Sequence, residues 1–139
     1  MSVPSTFAIE RFLADTLGAD PVLAGKVHNG VIPAGTPFPA CVFEPVNNLA
    51  TSVVGGVNIL DVALYWVKVV GEGRGMGQLR AMAVAVRTRL HQASGTNVDG
   101  HVWFCQQDEE QNAPPDVVSG VIYRTLGQRF RIEAKGADA

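Results

Sequence analysis

Apolar residues recur along this chain with two periods, and the change from one to the other predicts an order of elements. Ile9, Phe12 and Leu13 stand at helical spacing behind Ser5 and Thr6, two residues suited to capping, so a helix is expected over about 7–17 with Gly18 as its stop. A short turn at 21–25 follows. From Lys26 to Pro39 the residues Gly30, Pro33, Gly35, Pro37 and Pro39 break both periods and predict an extended connection. A strand is expected from about Ala40 to Val46, disturbed at Pro45. The stretch from Asn47 to Asn58, with its asparagines, hydroxyl residues and the Gly55-Gly56 pair, reads as a long excursion between strands.

The densest β-branched and aromatic run is Ile59 to Val70. Leu60, Val62, Leu64 and Trp66 share one face, while Ile59, Ala63, Tyr65, Val67 and Val69 share the other, which predicts a strand covered on both sides. After the glycine-rich loop Gly71 to Gly77, the residues Leu79, Met82, Ala83, Val86 and Leu90 form a helical stripe over 76–93, with Gln78, Arg80, Arg87, Thr88 and Arg89 turned away from it and Gly95 beyond its end. Two strands, about 100–107 and 118–134, are expected around an acidic, proline-bearing turn at 108–116. The second would reach roughly 55 Å, more than such a domain needs, so a bulge is expected at Gly127. The fold class is therefore α+β: a mainly antiparallel four-stranded sheet, a long helix packed on one face and a short N-terminal helix, in a single domain over 1–139 whose residues 134–139 are frayed.

Composition narrows the function. With 139 residues, 47% hydrophobic and 17% charged, the chain has the makings of one core and is far from the disordered class. A net charge of -2 with both signs scattered leaves no basic patch for nucleic-acid phosphates. Cys41 and Cys105 sit in apolar runs and are read as reduced, buried thiols in a reducing compartment. The N-terminus lacks the cationic start and apolar stretch of a secretory signal, and no window is apolar enough to span a membrane.

One motif tempts a catalytic reading: Gly71-Glu-Gly-Arg-Gly-Met-Gly77 leads from a strand into a helix, the geometry that cradles phosphate. Its spacing fails, because a dinucleotide fingerprint needs glycine where Met76 or Gln78 stands, and a P-loop needs Gly-Lys-Ser/Thr at the helix entrance. His28, His91 and His101 share no metal-ligand spacing, Asp108, Glu109 and Glu110 read as a solvated acidic loop, and no serine or cysteine carries a nucleophile signature. The expectation is a protein without catalytic residues, cofactor or metal. Tyr65, Trp66, Trp103, Phe104, Tyr123 and Phe130 fall on predicted strands and read as core or interface rather than as a base-stacking platform.

The layout resembles the tail-terminator or tail-completion proteins of long-tailed bacteriophages, the class of the phage lambda tail protein U. The likeness rests on the N-terminal helix with Leu13 and Leu17 before a loop containing Val27, on Pro37 to Phe43 entering the first strand, and on the Gly55-Gly56 turn before the strand Leu60 to Val70. The helix Gln78 to His91 with Ala85-Val86-Arg87 and the closing strand Tyr123 to Ile132 complete it. It covers about residues 7–134, in pattern and order rather than in an invariant motif. What it implies is a homohexameric ring in the tail–neck region of the virion, assembled in the host cytoplasm. Such a ring caps the tail tube, ends its polymerisation and offers a docking surface to head-to-tail connector proteins, while DNA passes its lumen without specific binding. Asn47, Leu49, Val53, Val54, Arg74, Arg124, Arg129 and Arg131 are the candidate contacts between subunits or with the tube. Two rivals stand beside this reading: another neck or head-closure protein of the same particle, and a small nucleotide- or ligand-binding enzyme using the Gly71–Gly77 loop.

Overall fold

The computed structural model describes residues 4–54, 57–73 and 76–137, including the side chains of all of these save 47–54 and 57–60. In chain order the elements are α1 (Ser5–Gly18), β1 (Val27–Asn29), β2 (Ala40–Val54), β3 (Val57–Glu72), α2 (Gly77–Leu90), β4 (Ala93–Asn97), β5 (Gly100–Glu110), β6 (Ala113–Val118) and β7 (Val121–Gly136). Seven strands form one mixed sheet that curls into a half-barrel, in the order β1-β2-β3-β7-β5-β4, with β6 also paired to β7. Only the β1–β2 pair is parallel.

This overturns the expected four-stranded sheet with one long and one short helix. The chain is mostly β, and both helices have 14 residues. Three readings failed for one physical reason: a residue that disfavours a strand in isolation enters one when a neighbour supplies its hydrogen bonds. The 47–58 excursion is the distal part of a β2–β3 hairpin, with Asn47 opposite Leu64 and Val54 opposite Val57; Gly55 and Gly56 lie outside the described residues. Its cost in regularity is visible as register shifts at Pro45/Asn47, Asn48/Ala50 and Ser52/Val53. The connection at 26–39 contains β1, whose Val27, His28 and Asn29 pair with Cys41, Val42 and Phe43.

The acidic turn at 108–116 is likewise strand at both ends. β5 continues to Glu110 and β6 begins at Ala113, with Pro114 and Pro115 falling in the register shift between Ala113 and Asp116 on an edge strand, where prolines are tolerated. The single strand expected over 118–134 is two strands joined at Ser119 and Gly120, whose φ of 51° and 79° suit a two-residue hairpin turn. β7 holds its register with β3 without a shift through Gly127, so no bulge forms there; the shifts facing β7 are in β5, at Val102/Phe104 and Gln107/Glu109, and in β6, at Ala113/Asp116. The chain is also paired further than expected, since Gly136 is opposite Gly100 and the Ala137 N–H donates to the Asp99 carbonyl at 2.7 Å.

Helix ends differ from the sequence reading too. Pro4, with φ of -55°, occupies the cap of α1, so Ser5 and Thr6 are inside the first turn and no side chain caps it. α2 stops at Leu90 rather than 93, because Gln92 takes a φ of 64° and its N–H joins the Cys105 carbonyl at 2.6 Å, turning the chain into β4, where Gly95 lies.

Both helices cover the same face of the sheet. Ile9, Phe12, Leu13 and Leu17 of α1 and Leu79, Met82, Ala85, Val86 and Leu90 of α2 meet Phe43, Tyr65, Val67, Val69, Phe130 and Ile132 in one core. The α2 stripe is buried as its period requires, with Ala85 in place of the half-buried Ala83. Polar ties fix α1 to the sheet and α2 to the turn after α1. The Glu10 carboxylate accepts from Tyr65 Oη at 3.1 Å and from Asn29 Nδ2 at 2.6 Å, and Asp20 accepts from Arg89 Nε at 3.0 Å and from the Val22 N–H at 2.9 Å.

Candidate functional site

The face of the sheet away from the helices carries alternate residues of β3 and β7, and its chemistry is largely closed upon itself. Val62 and Leu64 are buried there. Trp66 Nε1 donates to the Gln111 carbonyl at 3.0 Å, the Gln111 N–H donates to the Gly127 carbonyl at 2.9 Å, and the Gly127 N–H donates to Asn112 Oδ1 at 3.0 Å. Lys68 Nζ lies 4.2 Å from the centre of the Trp66 ring and 3.1 Å from Glu44 Oε1, a cation held by an aromatic face and a carboxylate together. Arg129 reaches Asp108 at 3.0 Å and Glu109 at 2.8 Å. The acidic cluster is thus not a solvated loop: all three carboxylates lie on β5, and two of them hold one arginine of β7.

The candidate contact residues are spread over the sheet and do not converge. Asn47, Leu49, Val53 and Val54 lie on β2, Leu49 at the register shift between Asn48 and Ala50, and their side chains are outside the described set; Arg74 is outside it altogether. Arg124 is at the opposite end, facing Gly71 across β7 and β3, with Nε buried and without a hydrogen-bond partner. Arg129 is engaged by Asp108 and Glu109, and Arg131 lies 3.7 Å from Glu133.

The other chemistry-bearing residues are held in structural settings. Gly71 belongs to β3, where a Cβ would meet the Leu79 side chain at 3.2 Å, and the Gly73 N–H, with φ of 86°, donates to the Ile122 carbonyl at 2.8 Å. Among the described residues the cleft beside this connection is lined by Phe38, Pro39, Gly71, Glu72, Gln78 and Leu79, a set that would meet a phosphate with a carboxylate rather than a cation. His91 closes α2 and accepts from the Gln107 N–H at 3.3 Å, while His101 contacts the Thr96 hydroxyl. Among the described residues no group of three or more His, Cys, Asp and Glu could hold a metal ion. Cys41 and Cys105 are free and buried, and burial pushes both thiols up to about 12. No helix among the described residues is long and apolar enough to cross a membrane.

What the sequence reading missed are two exposed features at opposite ends of the sheet. At one end the β6–β7 hairpin exposes Val117 and Val118 beyond Glu72 and Tyr123, the last β3–β7 pair. At the other, β4, β5 and the end of β7 form a cleft of about 290 Å³ lined by Thr96, Asn97, Gly100, His101, Trp103, Lys135, Gly136 and Ala137. Trp103 is turned outward by the β5 irregularity between Val102 and Phe104, and the ring of His101 meets it edge-on at 5.2 Å. Gly100 is required in that corner, since its φ is 153° and a Cβ would overlap the Lys135 carbonyl. The Ser119-Gly120 pair was the available signal for the hairpin; the outward turn of Trp103 had none, because a bulge is set by register between strands.

No protein-family model matches the chain, and no curated protein matches it. Among solved structures, a chain from the virion of a native gene transfer agent (GTA) particle superposes with a TM-score of 0.79 over 96% of this chain and 98% of that one, at 18% sequence identity. Likeness at that identity establishes a shared fold over essentially the whole of both chains.

Proposed function

We propose that this chain is a structural subunit of a phage-like virion, and within that class a tail terminator: a ring, hexameric by resemblance, that caps the tail tube and receives the head. The observation that carries the virion reading is the end-to-end fold match to a chain of a gene transfer agent particle. The finer role rests on the resemblance to tail-completion proteins. In this reading the protein works by shape. Ring closure through heterologous contacts limits assembly without any chemistry, and the neighbours are tail tube and connector proteins. A net charge of -2 suits a lumen through which DNA moves without being held.

The test is particle assembly without this protein, imaged by negative stain. Tails of uncontrolled length are the expected result. Tails of normal length that fail to join heads would move the role to head closure, and normal tails joined to heads would end the virion-neck reading.

A further inference from the structure

The two exposed features at the ends of the sheet are complementary, and one copy cannot bring them together. Between Val121, beside Val118, and Lys135, in the cleft, β7 runs 14 residues, roughly 45 Å of extended chain. Val117 is 64% exposed and Val118 50%; as neighbours on a strand they point to opposite faces, so Val118 shares its face with Asp116, and Pro114 and Pro115 offer no N–H to a further strand, so this edge can dock through side chains but not by strand addition. Beside them Asp116 is exposed, with no ion-pair partner among the described residues.

The cleft presents the converse. Trp103 is 44% exposed with its ring braced by His101, and Val98, in the turn between the lining residues Asn97 and Gly100, is 74% exposed. Among the described residues Lys135 lines it without an ion-pair partner, and none of the described lining residues is a carboxylate. Some solvent-facing charges, such as Arg129 with Asp108 and Glu109, or Arg11 with Asp99, are paired within the chain. An aromatic and a valine beside a cation match a valine beside a carboxylate on one strand face.

We infer that the Asp116–Val118 face of one copy seats on the Trp103–Lys135 cleft of a second copy, with Val118 against Trp103 and Asp116 beside Lys135. Because the two surfaces differ and lie at opposite ends of the sheet, the contact is heterologous and repeats in one direction, which a ring requires. It rests on the ring reading and names the contact that closes the ring.

The experiment measures the mass of the full chain in solution by analytical ultracentrifugation, for the parent and for Val118→Asp, Trp103→Ala, Asp116→Lys and Lys135→Glu, each checked for a parent-like circular dichroism spectrum. Each single variant is expected to weaken self-association about tenfold or more, as loss of a central interface anchor does. Asp116→Lys combined with Lys135→Glu is expected to restore it. A mixture of Val118→Asp with Trp103→Ala retains one intact contact and should stop at dimers. Parent-sized assemblies from every single variant would overturn the contact while leaving the ring standing. A parent that stays monomeric at all concentrations and on added tail tubes would overturn the ring reading as well.

Discussion

The indole of Trp66 occupies the space that a side chain at position 127 would need: a Cβ built on Gly127 overlaps Trp66 Nε1 and the Gln111 carbonyl to which that nitrogen donates. Gly127→Ala therefore forces the indole or the 111–112 turn to move and should lower unfolding free energy by about 1–3 kcal/mol. Combined with Trp66→Ala, the glycine substitution should cost less than it does alone, because one of its two obstacles is gone and only the Gln111 carbonyl remains. Urea unfolding of the four proteins in that cycle measures it; equal costs in both backgrounds would show that the two residues do not collide.

Leu90 ends the buried stripe of α2 and is fully enclosed. Leu90→Ala should cost about 2–5 kcal/mol as a core cavity, whereas the exposed Val84→Ala on the same helix should fall within about 0.5 kcal/mol of the parent. Thermal melts of both separate packing from helix propensity.

Alkaline pH should unfold the protein early. Burial pushes the Cys41 and Cys105 thiols up from 9.0 to about 12, and burial, with Glu10 alongside, raises the Tyr65 hydroxyl as well. Groups with raised folded values stabilise fully below their unfolded values and lose that contribution as pH climbs towards the folded ones. The melting temperature is expected to hold to about pH 9 and fall above it. Cys41→Ala with Cys105→Ala should flatten that fall, whatever it does to stability at pH 7.

At the acid end, the bond from Arg89, then that from the Val22 N–H, holds the Asp20 carboxylate below its usual value of 3.8. A depressed carboxylate stabilises above its unfolded value, and the contribution disappears as pH falls through the folded one. Asp20→Asn should therefore destabilise at pH 7, and its difference from the parent should shrink as pH falls below 3.8; a constant difference between the two melts across pH 2–7 would contradict this.

Millimolar ATP or NAD should leave the melting temperature unchanged, because the cleft beside Gly71 and Glu72 offers a carboxylate where a phosphate would need a cation. An upward shift of several degrees would revive the nucleotide-binding alternative.

What could be read from the sequence was whatever depended on local period. The α2 stripe, the two-sided character of Ala63 to Trp66 and the burial of both cysteines follow from apolar spacing alone. What could not be read depended on partners distant in sequence. Asn47 and Asn48 look like loop residues until Leu64 and Ala63 stand opposite them, and Pro114 looks like a breaker until β6 proves to be an edge. Gly127 was noticed as unusual and given the wrong cause, since its reason is an indole 61 positions earlier in the chain. Of the candidate contact residues, Arg129 and Arg131 looked free for partners only because the carboxylates that meet them come from β5 or from the same face of β7.

β7 pairs with β3, β5 and β6, yet among the described strands it is the last to be synthesised. Until Val121 emerges, the nascent chain holds β1–β2–β3 as one fragment and β4–β5 as another, each with a bare edge where β7 will fit. Folding must therefore wait for β7 to be made, and a chain cut short before residue 121 keeps two sticky half-sheets that a cell would have to shield or degrade.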